Sequence, residues 1–135
     1  MILKSFNPKG KTPFRILCLG AHCDDIEIGC GGTILRVLRE AGGESLSIYW
    51  VVFSSGPVRE KEADGSANEF LKGAREKEIE IKSFRSGFFP YVALEIKEYF
   101  EELKNSFHPD LIFTHYRGDL HQDHRLISEL TWNTF

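Results

Sequence analysis

The sequence predicts an α/β fold in which a mostly parallel sheet carries helices on its faces. Short apolar runs without polar alternation are typical of strands that are covered on both sides, and amphipathic helical patterns separate these runs. A strand, a helix and a second strand follow one another within about 40 residues, which is the βαβ arrangement of parallel sheets. A chain of 135 residues fits one such domain.

Composition narrows the class of protein. The chain is 41% hydrophobic and 27% charged, which excludes a disordered, collagen-like or coiled-coil protein. Lys and Arg number 17 against 20 for Asp and Glu, so the basic field that nucleic-acid binding requires is missing. The sequence has neither the run of about 18 apolar residues of a membrane span nor the apolar region of a signal peptide. We therefore expect a cytoplasmic protein with no nucleic-acid partner and no membrane span.

The first half of the chain contains the βαβ unit. Residues 1–13, with prolines and glycine among lysines, are expected to form an N-terminal arm, and residues 14–135 a single domain. Residues 15–20 (RILCLG) predict the first strand, and residues 47–54 (SIYWVVFS) predict the second. Between them lies a helical pattern that ends at Gly42-Gly43. The apolar face of this helix comprises Cys30, Ile34, Val37, Leu38 and Ala41.

The second half continues the alternation. Residues 56–82 are dense in charged side chains and predict a mostly solvated surface, with a helix over residues 68–79. Apolar positions within residues 93–103 predict another helix, residues 110–115 a buried strand and residues 123–134 a final helix. The chain ends inside this last pattern without a glycine, proline or polar cap, so the sheet is expected to be C-terminally incomplete.

Reactive side chains concentrate in two segments, and each segment follows a predicted strand. Gly20–Asp25 (GAHCDD) follows the first strand, and Arg117–Arg125 (RGDLHQDHR) follows the strand at residues 110–115. Open α/β sheets place their ligand sites at the carboxyl ends of strands. The imidazoles and carboxylates of the two segments are donors that a divalent ion prefers. The sequence therefore predicts a metal site shared by the two segments.

Spacing along the chain suggests a division of roles. His22 and Asp25, three residues apart on a turn, can bind one ion, and either His121 or His124 supplies a third ligand, which leaves a position open for water. Zinc in such a site lowers the pKa of a bound water to about 7, as hydrolysis at neutral pH requires. Asp24 lies beside a ligand with its own side chain free, and is the candidate for the general base.

Simpler explanations exist for these residues taken singly. Asp24-Asp25 is also typical of a helix N-cap with its first-turn partner, and His121 and His124 in isolation fit surface or capping roles. His115 ends a strand that points at the site; we interpret it as a hydrogen-bonded core histidine and leave it off the ligand list. The glycines of Gly29–Gly32 favour a backbone that passes close beneath the metal site.

The two segments resemble the motifs of the PIG-L or LmbE-like family of metal-dependent deacetylases. Ala21–Thr33 (AHCDDIEIGCGGT) resembles the A-H-P-D-D-x-x-x-G-x-G-G motif, and Asp119–Arg125 (DLHQDHR) resembles the later D-x-H-x-D-H-R motif. The resemblance takes in Pro109–Ile112 and spans most of the chain from Phe14 onward. It implies a Rossmann-like three-layer fold and the removal, with Zn²⁺ or another divalent metal, of the N-acetyl group from an N-acetylglucosamine-type small molecule.

The resemblance also implies roles for single residues. The metal ligands that it implies are His22, Asp25 and His124. Asp24 would be the general base, and His121 the acid that protonates the leaving amine or stabilises the oxyanion. Asp123 would orient His121. The resemblance thereby selects His124 over His121 as the third ligand.

Three features depart from the family pattern or lie outside it. Cys23 stands where the family usually has proline, which removes no reactive group, and all three cysteines are expected to stay reduced thiols. Family members are generally much longer, so an exposed sheet edge and a homo-oligomer are among the expectations. Arg75 resembles a substrate-contacting arginine of the family, and an exposed ion pair explains it equally well. Alternative functions are an amidase acting on another acyl or thiol conjugate and a noncatalytic metal-binding module.

Overall fold

A computed structural model of the chain describes residues 13–135, so the expected arm at residues 1–13 lies outside the described part except for its last residue. The strands of the described part are β1 (Phe14–Gly20), β2 (Leu46–Val52), β3 (Glu76–Ile81) and β4 (Leu111–Phe113). They pair in the order β3-β2-β1-β4, and every pair is parallel. The predicted α/β class with a mostly parallel sheet is confirmed, whereas the division into an arm and one domain stays a prediction.

Helices cover both faces of this sheet. The α-helices of the described residues are α1 (Gly32–Ala41), α2 (Pro57–Phe70), α3 (Ala93–Ser106) and α4 (Gln122–Thr134). A π-helical turn, Glu27–Gly31, leads into α1. Helices α1 and α2 pack on one face of the sheet and α3 and α4 on the other, which gives the expected three layers. Within residues 13–135, no helix is long and apolar enough to cross a membrane.

Strand β1 shows why the apolar runs have no polar alternation. Its residues Ile16 and Cys18 pack against the α1 and α2 layer, and Leu17 and Leu19 pack against the α3 and α4 layer. All four side chains are buried. Burial of a Leu or Ile side chain stabilises a fold by about 1.5–3 kcal/mol. Both faces of the central strands therefore contribute to the core.

The strand order positions the two reactive segments. The chain runs from β1 to β2 and β3 on one side, and then crosses back to place β4 on the other side of β1. The direction of winding thus reverses between β1 and β4, and in open α/β sheets a crevice forms at such a point, outside the carboxyl ends of the strands. The chain leaves β1 after Gly20 and β4 at Thr114, and the two reactive segments lie directly beyond these points.

The predicted helix over residues 68–79 is wrong. Helix α2 begins at Pro57 and ends at Phe70. A turn at Gly73, which has a φ of 96°, then leads into strand β3. The strand was missed because it lies at the edge of the sheet, where charged residues are common. Only Ile79 and Ile81 of β3 pack against the core, which is too short an alternation to predict a strand.

The remaining elements differ from the prediction by one or two residues at their ends. Strand β4 begins at Leu111 and stops at Phe113, although an apolar pattern over residues 110–115 predicted a longer strand. It stops because the next N–H on β1's side, that of Ala21, donates to the side chain of His115 at 2.9 Å. A side chain thus takes the place of the backbone carbonyl that would have continued the ladder.

Candidate active site

Two imidazoles and a carboxylate meet in the crevice between β1 and β4. His22 Nδ1 lies 3.2 Å from His124 Nε2 and 3.6 Å from Asp25 Oδ2, and His124 Nε2 lies 3.4 Å from the same oxygen. Ligand atoms about 2.0–2.1 Å from a tetrahedral Zn²⁺ are separated from one another by roughly 3.3–3.4 Å. The structure therefore brings together the three side chains that the family resemblance implied as ligands, at a spacing that fits a zinc ion.

Hydrogen-bond partners determine which imidazole nitrogens are free. His22 Nε2 lies 3.1 Å from Asp123 Oδ2, and His124 Nδ1 lies 3.2 Å from Asp119 Oδ2. Because a carboxylate accepts hydrogen bonds, these two nitrogens carry the ring protons. In the neutral imidazoles this leaves His22 Nδ1 and His124 Nε2 without protons, and their lone pairs then face each other and the Asp25 oxygen. A divalent cation with a preference for nitrogen and oxygen donors, such as Zn²⁺, can accept these lone pairs.

Asp123 differs from its expected role. Its carboxylate is fully buried and accepts N–H groups from Gly87 at 2.6 Å and Phe89 at 3.1 Å, in addition to its contact with His22. It does not orient His121 through this carboxylate; instead its backbone N–H donates to His121 Nδ1 at 3.1 Å. The expectation is corrected because Asp123 lies in the first turn of α4, where its side chain points inward to the loop before α3.

Asp119 has a larger part in the site than the sequence indicated. One of its carboxylate oxygens accepts the His121 N–H at 2.7 Å and the other pairs with His124. These contacts, that with the His121 N–H first, hold the pKa of Asp119 below its ordinary value. Burial works to raise the pKa of Asp25, but the hydrogen bond from the His22 N–H outweighs it, so that this pKa is also lowered. Both carboxyl groups are therefore held in the ionised form.

His121 lies at the mouth of the site. Its ring centroid is 4.8 Å from that of His22 and 4.7 Å from that of His124. Because Nδ1 accepts the Asp123 N–H and thereby caps α4, the ring proton of the neutral imidazole is on Nε2. The capping role considered for this residue is thus present, and it leaves a proton available on the other nitrogen.

Asp24 occupies a different position from its neighbour Asp25. Its side chain is exposed and, within residues 13–135, forms no hydrogen bond. It lines a cavity of about 180 Å³ together with Glu27 and Arg59. Glu27 accepts a hydrogen bond from Ser66 at 2.9 Å through one oxygen, and its other oxygen is buried without a partner among the described residues. The cavity beside Asp24 therefore presents polar groups to a ligand.

One glycine after the first segment, Gly31, serves packing between helices. The turn that carries it is π-helical, a form that is frequent at functional sites. A Cβ at Gly31 would lie 2.6 Å from Cε1 of Phe70 in α2, so the close approach is to this ring and not beneath the metal site as expected. The N-cap interpretation of Asp24-Asp25 is not realised, because Asp25 accepts the N–H of His22, three residues before it.

Two arginines, Arg75 and Arg59, lie at opposite ends of the strands of the sheet, and only Arg59 is near the candidate site. Arg75 precedes β3, at the amino edge of the sheet, and its nearest carboxylate is that of Glu76 at 3.8 Å. This position, opposite to the site, corresponds to the exposed ion pair. Arg59, near the start of α2, lines the cavity with Asp24 instead. Arg59 had no signal in the sequence, because the predicted helix began only at residue 68.

Comparison with known proteins finds a family and several solved structures that are similar to the chain. The family described as PIG-L, GlcNAc-PI de-N-acetylase, matches residues 17–135. The conserved protein TT1542 from Thermus thermophilus is 27% identical, with a TM-score of 0.68 over 88% of this chain and 54% of that chain. N,N'-diacetylchitobiose deacetylase from Pyrococcus horikoshii, complexed with its inhibitor MPG, is 22% identical, with a TM-score of 0.67 over 98% and 52%.

A third structure has the same fold with a different activity in its name. GalB, the 4-carboxy-2-hydroxymuconate hydratase from Pseudomonas putida KT2440, is 17% identical, with a TM-score of 0.61 over 90% of this chain and 55% of that chain. At this identity, and at that of the Pyrococcus horikoshii protein, the likeness shows the fold alone. The chain spans about half the length of the three structures.

Proposed function

Because the chain belongs to the PIG-L family, we propose that it is a metal-dependent hydrolase that removes the N-acetyl group from an N-acetylglucosamine-type sugar compound. The observation that carries the proposal is the trio of atoms His22 Nδ1, His124 Nε2 and Asp25 Oδ2, which lie 3.2–3.6 Å apart. In the proposal, these three side chains hold Zn²⁺ or another divalent ion. The bound ion would supply Lewis acidity, which lowers the pKa of a water and polarises the acetyl carbonyl.

The remaining side chains move and hold protons. Asp24 takes a proton from the attacking water as the water oxygen bonds to the acetyl carbon. The bond between that carbon and the amide nitrogen then breaks, and the proton that Asp24 took passes to the leaving nitrogen. The Nε2–H of the neutral His121 donates a hydrogen bond to the oxyanion and keeps its proton. Acetate and a free amine are the products. Asp123 acts as a positioning residue, because it keeps the His22 proton on Nε2 and away from the ligand atom.

The cavity beside Asp24 supports a sugar as the substrate. Its lining includes carboxylates, an arginine and a serine, which suit the hydroxyl groups of a pyranose: Asp24, Glu27, Arg59, Glu62 and Ser66. The similar protein from Pyrococcus horikoshii is named for an N-acetylated sugar, N,N'-diacetylchitobiose, which makes this compound a natural first substrate to test.

The test is acetate release by the purified chain with Zn²⁺ from N-acetylglucosamine and from N,N'-diacetylchitobiose. We expect Asp24→Asn to lower the rate by about 10²–10⁴-fold, the usual contribution of a general base. Glu44→Gln, an exposed acid at the opposite edge of the sheet, should leave the rate unchanged. A chelator should abolish activity and added Zn²⁺ should restore it. Acetate release that does not exceed that of Asp24→Asn would overturn the proposal.

A noncatalytic metal-binding module is the second candidate. The chain spans about half the length of the similar structures, and a hydratase shares its fold, so the fold alone does not fix a reaction. Stoichiometric Zn²⁺ binding with no hydrolysis across a panel of N-acetyl sugars, larger N-acyl compounds and thiol conjugates would favour this module. Turnover of a larger acyl or thiol conjugate alone would favour the amidase.

A further inference from the structure

A fourth histidine packs against two of the three candidate ligands, Asp25 and His124. His115, at the end of β4, has a side chain that is 11% exposed, and its ring lies 3.9 Å from the ring of His124 with an interplanar angle of 11°. Its Nε2 atom is 3.3 Å from Asp25 Oδ2. By distance alone, Asp25, His115 and His124 form one group able to hold an ion, and His22, His121 and His124 form another.

Ring geometry argues against His115 as a ligand. An imidazole coordinates through a lone pair in the plane of its ring. The rings of His115 and His124 are nearly parallel and stacked, so their lone pairs lie in separate planes and do not converge on one ion. The Nε2 lone pair of His115 is also taken, because it accepts the N–H of Ala21 at 2.9 Å. The rings of His22 and His124, in contrast, are tilted by 48°.

The same contacts give His115 another role. Through Ala21 it fixes the backbone that leads directly into His22, through Nε2 it lies against the Asp25 carboxylate, and its face supports the ring of His124. The His115 side chain thus contacts Asp25, His124 and the residue that precedes His22. It also joins the end of β4 to the end of β1, the two strands from which the ligands come.

We propose that His115 is a positioning residue that sets the spacing of His22, Asp25 and His124 and thereby raises the affinity of the site for a divalent ion. This inference rests on the proposed function only in that it needs the three ligands to bind an ion. Residues that orient metal ligands typically contribute about 10–100-fold in metal affinity. His115 acts from outside the coordination shell, so removing it should weaken binding without changing the set of ligand atoms.

The experiment compares the wild-type chain with His115→Phe, His115→Gln and His108→Phe. Phenylalanine keeps a ring that can stack on His124 but cannot accept the Ala21 N–H, whereas the glutamine amide oxygen can accept it. His108 is exposed and lies near the amino edge of the sheet, so His108→Phe is the matched control. Zn²⁺ affinity is measured by competition with a chelating indicator, and the coordination of Co²⁺ by its visible absorption spectrum at saturation.

We expect His115→Phe to bind Zn²⁺ about 10–100-fold more weakly than the wild type, with His115→Gln between them and His108→Phe unchanged. The Co²⁺ spectrum of both His115 variants at saturation should match that of the wild type. Unchanged affinity in both His115 variants would overturn the proposal. So would a spectrum that shows one ligand fewer, because His115 would then be a ligand. Circular dichroism checks folding, and if His115→Phe does not fold, His115→Gln decides alone by the same two readouts.

The outcomes also separate this proposal from the proposed function. A wild-type chain that binds Zn²⁺ but hydrolyses no acetamido sugar overturns the proposed hydrolase and leaves the His115 comparison decisive. A wild-type chain that binds neither Zn²⁺ nor Co²⁺ overturns both proposals.

Discussion

At the scale of single residues, the buried carboxylate of Asp123 governs which nitrogen of His22 faces the candidate ion. Its oxygens accept two backbone N–H groups from the loop before α3 and the Nε2 proton of His22. The carboxylate therefore links the loop before α3 to the candidate metal site. A buried acceptor of this kind is costly to remove, because its donors are left without partners.

Asp123→Asn tests this arrangement. An amide in place of the carboxylate loses the charge that favours a proton on His22 Nε2, and its NH₂ group cannot accept. We expect a fall of about 10–100-fold in Zn²⁺ affinity and a loss of about 1–3 kcal/mol in the free energy of unfolding. Chelator competition and urea unfolding measure the two effects. Glu95→Gln, at an exposed position of α3, serves as the control, and equal metal affinity in the two variants would contradict the assignment.

The site residues could be predicted from the sequence as a set, but their pairings could not. The two segments contain His22, Asp25, His121 and His124, and their residue types alone indicated a metal site. The choice between His121 and His124 depends on ring direction, which Asp119 and the N-terminus of α4 determine in three dimensions. The backbone donors to Asp123 had no signal, because any residue type supplies an N–H.

Glu80, which lies away from the candidate metal site, should make the stability of the fold depend on pH. It accepts the hydroxyls of Tyr49 at 2.7 Å and Tyr99 at 2.6 Å, and it pairs with Lys82. Burial works to raise the pKa of Glu80, but Lys82 and the two tyrosines outweigh it, so this pKa is lowered. A carboxyl group with a lower pKa in the folded chain stabilises the fold above its unfolded pKa, and this stabilisation is lost as the pH falls through the folded value.

We therefore expect Glu80→Gln to be less stable than the wild type by a constant amount above about pH 5, and the difference to shrink as the pH falls below about 4. Urea unfolding across this pH range gives the free energies. A difference that does not depend on pH would contradict the role of the charge, and Glu95→Gln should match the wild type throughout.

At the scale of elements, the π-helical turn Glu27–Gly31 joins the Asp25 segment to α1 and packs against α2. The backbone of Gly31 is right-handed helical, with φ −54° and ψ −45°, so the glycine is not needed for an unusual conformation. Gly31 is needed for space, because the Phe70 ring lies where a Cβ would stand. The centroid of that ring is in turn 5.8 Å from the centroid of the Trp50 ring.

Gly31→Ala and Gly32→Ala form a matched pair that separates space from backbone preference. Both positions are helical, but nothing lies within 4 Å of a Cβ at Gly32. We expect Gly31→Ala to lower the free energy of unfolding by about 1–3 kcal/mol through overpacking, and Gly32→Ala to raise it by up to about 1 kcal/mol. Thermal and urea unfolding measure both changes, and similar effects in the two variants would contradict the packing argument.

The more of an element is buried, the more clearly its hydrophobic pattern in the sequence predicts it. Strands β1 and β2 are covered on both faces, and their apolar runs were readily identified. Strand β3 is an edge strand whose exposed half is Glu76–Glu78, and its pattern was mistaken for a helix. Both ends of α2 were predicted wrongly for the same reason. This helix buries only Ala63 and Ala67 and so has little amphipathic pattern.

At the scale of the whole molecule, the site exists because β4 pairs with β1. The sequence indicated that both reactive segments follow strands, and the rule for parallel sheets placed them at one edge. Neither the sequence pattern nor this rule indicated which strands are neighbours in the sheet. That order, β3-β2-β1-β4, occurs together with α3 and α4 on the face opposite to α1 and α2. The three-layer class was thus predictable, and the adjacency on which the site depends was not.

His22 and His124 are separated by 102 positions along the chain, and the pairing of β1 with β4 that joins them involves only three residues of β4. In the unfolded chain, bringing these imidazoles together costs the closure entropy of a loop of that length. If the chain binds an ion as proposed, binding would require that β4 has already paired with β1, and the metal would stabilise the finished sheet without nucleating its folding. A refolding chain should become coloured with Co²⁺ only after its backbone signal has recovered.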